Sequence, residues 1–296
     1  MRIAITGASG LLGSALAPAL RRDGHSVLRL VRREAAEPDE IGWDPAAHRL
    51  DSGALDDVDA VVHLAGANIA GKRWSRAYRQ ELIASRLDST TTIATALAAA
   101  APRERVLLSS SGINWYGDTG PTRVEESAPN GTGFLAELVA AWEGATRAAE
   151  EAGTRVVHLR TSPVLSRSGG LLAPMLPLFK AGLGGRLGSG QQYMPWITLP
   201  DWIDAARLLL TADVRGPVNL TSPGEVTNAE FTRALGRALH RPAVLPVPAF
   251  ALRIALDGLA DEGALVSIRA VPRVLTDHGF TFAHPDIDSA LRWATT

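Results

Sequence analysis

Three glycines at three-residue spacing, Gly7, Gly10 and Gly13, follow the apolar run Ile3-Ala4-Ile5. Glycine lacks a Cβ, so Gly7 admits a sharp turn, Gly10 lets the backbone approach a pyrophosphate, and Gly13 lets a following helix pack closely. The whole turn, Gly7, Ala8, Ser9, Gly10, Leu11, Leu12 and Gly13, is expected to hold a dinucleotide, with the helix N–H groups and positive dipole end facing its phosphates. A glycine triplet alone is also met in surface turns without a ligand. Here a strand precedes it, an amphipathic helix follows (Leu12, Leu16, Ala19, Leu20), and a second strand is expected at residues 26–31, which is the setting the fingerprint requires. The second strand ends in Arg32 and Arg33, where a NAD site would place an acid for the ribose 2′-hydroxyl. A guanidinium matches a 2′-phosphate instead, so the expected cofactor is NADP (NADPH). The competing reading is two solvated arginines at a strand end.

Further along, Ser109, Ser110 and Ser111 close an apolar run and Tyr116 follows five residues later. These hydroxyls are candidates for proton transfer, with Tyr116, Ser111 and Ser110 as the catalytic set. His63 ends another strand, where packing or backbone bonding is its commoner use. A glycine-rich stretch at 182–190 leads into Gln191, Gln192, Tyr193 and Trp196, which offer hydrogen bonds and stacking to a polar, partly planar substrate; a plain surface hairpin is the other reading.

The elements that must position these groups alternate. Strands are expected near 60–64, 105–109, 155–160 and 217–220, and helices near 75–100, 134–152, 201–211, 228–240, 250–259 and 287–293. Alternation of this kind implies an α/β fold: a Rossmann-type doubly wound parallel sheet with a smaller C-terminal α/β substrate domain. The expected domains are 1–162, with 196–222 returning to it, and 163–296. Gly153 is the expected C-cap of the 134–152 helix, and Thr227 or Asn228 the N-cap of the 228–240 helix.

The 296 residues carry 30 Lys+Arg against 31 Asp+Glu, a net charge of −1. There is no basic surplus for nucleic acid and no polybasic run for a membrane surface. The absence of cysteine excludes disulfides, thiolate zinc sites and cysteine nucleophiles. No metal-binding histidine spacing occurs, and no metal is expected. No apolar run approaches a membrane span, and the N-terminus reads as a strand, so cytoplasm is the expected address. The expected partner is a small-molecule substrate; a homodimer is left open.

Longer motifs sharpen this reading. Thr6-Gly7-Ala8-Ser9-Gly10-Leu11-Leu12-Gly13, His63-Leu64-Ala65-Gly66-Ala67-Asn68 and Ser109-Ser110-Ser111 with Tyr116-Gly117-Asp118 resemble the extended short-chain dehydrogenase/reductases. Ile41-Gly42-Trp43-Asp44-Pro45, Phe134-Leu135-Ala136-Glu137, Gly188-Ser189-Gly190-Gln191-Gln192 and Thr227-Asn228-Ala229-Glu230-Phe231 resemble its atypical epimerase-family branch, along essentially the whole chain. The resemblance implies that Leu64, Ala65, Gly66 and Ser109 line the cofactor and that Glu81 and Arg86 approach it with Arg86 near its phosphates; Thr161 and Ser162 end the fifth strand, where the carboxyl edge of the sheet is expected to meet the nicotinamide. The resemblance also exposes a departure. Typical members carry Tyr-x-x-x-Lys on the helix after the fourth strand; aligned on Glu143, this chain has Leu135 and Val139 there. Neither side chain titrates, so neither serves as a general acid or base. The expectation is therefore an NADP-binding oxidoreductase or epimerase-like enzyme without the usual relay, acting by hydride transfer on a small polar, nucleotide-sugar-like substrate. The alternative is a non-catalytic NADP-binding sensor or interaction protein.

Overall fold

The computed structural model describes residues 1–296. Its first strand, β1 (Arg2–Thr6), is buried from Ile3 onward and reads as a continuous apolar run, as a strand covered on both faces must. Then come α1 (Leu11–Arg22), β2 (Ser26–Val31), β3 (Glu40–Asp44), β4 (Arg49–Leu50), β5 (Ala60–His63), α2 (Arg76–Ala99), β6 (Val106–Gly112) and β7 (Arg123–Val124). They are followed by α3 (Phe134–Gly144), α4 (Arg147–Glu151), β8 (Arg155–Thr161), β9 (Val164–Leu165), α5 (Leu172–Lys180), β10 (Ile197–Thr198) and α6 (Leu199–Thr211). The chain closes with β11 (Gly216–Leu220), α7 (Asn228–Leu239), α8 (Ala249–Leu256), β12 (Arg269–Ala270), α9 (Arg273–Asp277) and α10 (Ile287–Thr295).

Eight strands form one sheet in the order β11-β8-β6-β5-β1-β2-β3-β4. β1 runs parallel to both β2 and β5, β5 to β6, and β2 to β3; β3 and β4 are antiparallel. The chain builds outward in one direction through β2 and in the other through β5. The order therefore reverses at β1, and a doubly wound sheet opens a crevice beyond the carboxyl ends of the strands at that point. The glycine turn after β1 and the His63–Gly66 turn after β5 both stand there. In register, Thr6 pairs with His63 and His63 with Ser109, so β1, β5 and β6 end at a common level.

By internal contacts the chain divides into two units. The first comprises Met1–Ser111, Leu138–Leu159 and Ile203–Pro217, and the second Gly112–Glu137, Arg160–Trp202 and Val218–Thr296. The first has a core of Ala4, Leu28, Leu30, Val61, Ile93, Leu97, Leu107 and Val156, to which α2 contributes one face at three- and four-residue spacing. The second is centred on Leu165, Phe179, Trp196, Phe231, Leu235 and Leu291. Helix α7 opens with a capping box: Thr227 Oγ accepts from Glu230 N–H while the Glu230 carboxylate accepts from Thr227 N–H.

Several elements differ from the sequence-based expectation, the short β7, β9, β10, β12, α5 and α9 among them. The helix expected over 134–152 stops at Gly144 and restarts at Arg147. Gly144 weakens the helix, and the buried Thr146 hydroxyl donates back to Glu143 O, competing with the ladder. The sheet also carries β3 and β4, which the Asp-, Pro- and Gly-rich sequence around them masked.

Candidate nucleotide-binding and active site

In the glycine turn, Gly7 has φ +65°, and a Cβ on it would stand 2.8 Å from Leu64 O. A Cβ on Gly13 would stand 2.4 Å from Gly7 O. Any side chain at either position would force the β1 turn away from the β5 turn or from α1. Gly10 N–H donates to Gly7 O at 2.9 Å, and the first helical bond is Ser14 N–H to Gly10 O. The N–H groups of Leu11, Leu12 and Gly13 therefore lack helical acceptors. Gly10 supplies no side-chain cap, and the first turn holds no acid. This is a helix end prepared for an external anion.

The neighbouring turn is fixed from inside. Thr6 Oγ accepts from the N–H groups of Leu64 and Ala65 at 2.9 and 3.0 Å, and so gives its own proton to His63 Nδ1 at 2.8 Å. His63 Nε2–H then faces Thr90 Oγ and Ser89 Oγ. With no charged partner, burial pushes the His63 pKa down to about 3, so this imidazole is neutral. It braces the β5 turn, in line with the packing role.

Arg32 and Arg33 part company. Arg33 forms a two-pronged bond with Glu40, at 2.8 and 2.7 Å, across the β2–β3 edge. Together with the Ala36 N–H, Arg33 holds the Glu40 carboxyl down at about 2. Arg32 is exposed and pairs with no side chain. Glu40, which takes Arg33, escaped sequence reasoning; its only signal was an acid seven residues on.

On α2, Glu81 is exposed and bonded to Lys72 at 2.9 Å. Arg86 is buried. Its guanidinium donates to Leu82 O and Ala67 O, both at 3.1 Å, lies 5.0 Å from the Trp142 ring centroid, and packs along Gly66. No carboxylate neutralises it, and burial lowers its pKa to about 10. Ser109 is fully buried and its hydroxyl has no hydrogen-bond partner. In the second unit, the Ser162 hydroxyl is likewise buried and unpartnered, whereas Thr161 Oγ accepts from Trp202 Nε1–H. A glycine cradle, a buried cation without a counter-ion and an unsatisfied hydroxyl at the ends of β1, β5 and β6 fit a phosphate-bearing cofactor.

The hydroxyl groups are used unequally. Ser111 Oγ donates to Glu143 Oε1 at 2.6 Å, a contact across 32 residues that the spacing did not reveal. Glu143 Oε2 lies 3.9 Å from His158 Nδ1; His158 Nε2 is 3.0 Å from Thr146 Oγ and 3.5 Å from the half-exposed Glu150 carboxylate. Ser110 is half-buried, on the strand's other face from Ser109 and Ser111. Tyr116, in the second unit, is buried; its hydroxyl donates to Asn219 Oδ1 at 2.7 Å and accepts from Arg160 Nη1 at 3.2 Å. Burial raises its pKa, with Arg160 and Asn219 partly opposing. Leu135 and Val139 are both buried. At the start of α3, Glu262 accepts from the N–H groups of Phe134 and Leu135, a cap supplied from 127 residues away.

The substrate-side stretch is largely spent on the protein itself. Trp196 is 1% exposed in the second core, with its indole N–H on Gly224 O. Gln192 is buried and donates to Leu187 O and Ala264 O. Both were expected to face substrate; their polar atoms are instead satisfied internally. Gln191 is exposed, and Tyr193 is half-buried beneath the Arg269 guanidinium, 4.4 Å from its ring centroid.

Sheet order, glycine turn and switch-point crevice together define an NAD(P)-binding Rossmann protein of the short-chain dehydrogenase/reductase type. Residues 3–221 match the NAD dependent epimerase/dehydratase family, and residues 247–294 match a domain of unknown function, DUF1731. The chain belongs to that epimerase/dehydratase family. It is 50% identical over 295 residues to epimerase family protein Mb2239 of Mycobacterium bovis, covering 99% of this chain and 97% of that one. The crystal structure of human epimerase family protein SDR39U1 (isoform 2) with NADPH superposes with a TM-score of 0.91 at 33% identity, over 100% of this chain and 99% of that one. A nucleoside-diphosphate sugar epimerase from Corynebacterium glutamicum gives 0.80 at 33% identity, over 98% of this chain and 57% of that one. No helix is long and apolar enough to cross a membrane.

Proposed function

We propose that this chain is an NADP-dependent oxidoreductase or epimerase-like enzyme acting on a small polar substrate of the nucleotide-sugar kind. The observation that carries the cofactor choice is Arg32: an exposed, unpaired guanidinium at the end of β2, with its neighbour Arg33 already committed to Glu40. It stands where a 2′-phosphate needs a cation. The human relative whose structure is named with NADPH supports the same choice. Residues 7–13 hold the pyrophosphate, Arg86 supplies charge to the phosphates from below, and Leu64, Ala65, Gly66 and Ser109 line the cofactor, with Thr161 and Ser162 towards the nicotinamide. Glu81, engaged by Lys72, acts at the rim.

When bound, NADPH supplies the hydride; the protein supplies position and a proton. Ser111 and Glu143 are the hydroxyl–carboxylate pair able to hold and pass that proton in place of the missing tyrosine and lysine. His158, Thr146 and Glu150 continue the path towards solvent. Tyr116 has its hydroxyl committed on both sides and serves to position the Arg160–Asn219 network. Ser110 faces the other side of β6 and is the second choice for the substrate hydroxyl contact. Gln191 and Tyr193 offer the substrate its open hydrogen bonds and stacking surface.

The test has two arms. Arg32→Asp is expected to weaken NADPH binding by about tenfold or more, the loss of one charged hydrogen bond, and to leave NADH binding within about threefold. Equal effects on both overturn the 2′-phosphate assignment. A screen of purified protein with NADPH against nucleotide-sugars and small carbonyl compounds is expected to yield turnover; binding of NADPH with no turnover of any compound favours a non-catalytic sensor.

A further inference from the structure

Eight large apolar side chains are well exposed on this protein, and six of them fall in the second unit: Leu178, Leu183, Val244, Leu245, Phe250 and Ile254, each at least 49% exposed. They lie on segments bonded in series. Leu183 N–H donates to Leu178 O, Leu245 N–H to Gly184 O, and Val247 N–H to Arg186 O. Gly185 presses on Leu245 so closely that a Cβ there would overlap its carbonyl oxygen, at 1.6 Å. Helix α8 begins two residues after Val247. Phe250 and Ile254 are four apart and share one of its faces, while Leu252 is buried on another.

The six side chains leave on the order of 600 Å² of apolar surface in water, at the top of the range for the largest patch on a monomer. That is most of the ~800 Å² per partner that a stable interface buries. The charges around the patch are of both signs. Lys180 and Arg241 stand at the α5 end, where Arg241 Nε–H donates to Lys180 O, and Asp257 and Asp261 stand beyond the α8 end. Asp261 is partly neutralised by Arg253. A membrane surface would select a cationic surplus on such a rim. A two-fold axis through the patch would instead set the basic end of one copy against the acidic end of the other, as a self-complementary interface requires.

We propose that this face is covered by the same face of a second copy of the chain, forming an isologous dimer through α8 and the Leu183 and Val244–Leu245 segments. Sedimentation velocity on the full chain, from about 1 to 100 μM, tests it in the range where a standard interface assembles. The wild type is expected to sediment at twice its 31.3 kDa chain mass. The double substitution Phe250→Asp with Ile254→Asp, and separately Val244→Lys, are expected to raise the dimer dissociation constant by about a hundredfold or more, since each desolvates a charge at the centre of the contact. Both sets of residues are exposed, so NADPH binding and the monomer's melting temperature should stay at wild-type values. A wild type that is monomeric throughout, or that is monomeric and captured by vesicles of phosphatidylcholine and phosphatidylglycerol, overturns the proposal. So does a dimer that survives both substitutions.

Discussion

Arg86→Met separates a residue that waits for a ligand from one that holds the fold. The guanidinium is 7% exposed, and burial moves its pKa from 12.5 to about 10. At neutral pH that difference is a standing cost of about 3 kcal/mol in the folded protein, recovered only above pH 10 where the group begins to lose its proton. Against it stand the contact with the Trp142 face, worth about 1 kcal/mol, and two bonds to Leu82 O and Ala67 O, worth about 1 kcal/mol each. These nearly cancel, so a methionine of similar length should change the stability of the ligand-free protein by no more than about 1 kcal/mol. That corresponds to a shift of about 2–4 °C in melting temperature for a chain of this size. NADPH binding should respond differently, because the phosphate loses a charged hydrogen-bond partner worth about 1.5–3 kcal/mol, or roughly 10- to 150-fold in Kd. Thermal melts without ligand and fluorescence titration with NADPH measure the two quantities separately. A ligand-free loss of about 3 kcal/mol with a Kd within about threefold of wild type would refute the reasoning and make Arg86 a structural residue.

Other measurements test the remaining contacts. His63 is neutral in the fold with its pKa near 3, whereas the unfolded chain protonates it near its ordinary value. The unfolded state therefore binds the extra proton between about pH 6.5 and 3, and stability should fall as pH falls through that window, by about 1.4 kcal/mol per unit from this group. His63→Gln should flatten that slope in acid denaturation; an unchanged slope excludes His63 as its source. Glu143→Gln should abolish turnover of any substrate the screen identifies while leaving the NADPH Kd within about twofold; retained turnover removes Glu143 from the proton path. Thr227→Ala breaks the α7 capping box and should cost about 1 kcal/mol in urea unfolding, and no loss would mean that Asn228 replaces the cap.

Much of the first unit was legible before any coordinate. A glycine triplet between a strand and a helix is local chemistry: φ at Gly7 and the missing Cβ at Gly13 constrain the turn wherever it sits in a chain. The Thr227 cap of α7 is local for the same reason. The empty relay positions, Leu135 and Val139, were readable through the resemblance to the extended short-chain dehydrogenase/reductases, aligned on Glu143. Less could be read of how polar groups are spent. Arg32 and Arg33 are adjacent and chemically identical, and only the crossing of β3 beside β2 assigns Arg33 to Glu40 and leaves Arg32 free. Trp196 and Gln192 read as substrate contacts because their types suit one; the second unit's core and backbone carbonyls absorb them.

By itself the sequence determined the dinucleotide turn and the α/β alternation, because each depends on side chains within a few residues of one another; the loss of the tyrosine–lysine relay was read through the family resemblance. Tertiary structure alone decided which groups face each other across long separations: Glu143 on Ser111, Glu262 on the start of α3, Arg86 under Gly66 without an acid. A hydrogen bond or an unpaired charge belongs to two places in the chain at once, and their meeting is set by how the whole sheet and its helices pack.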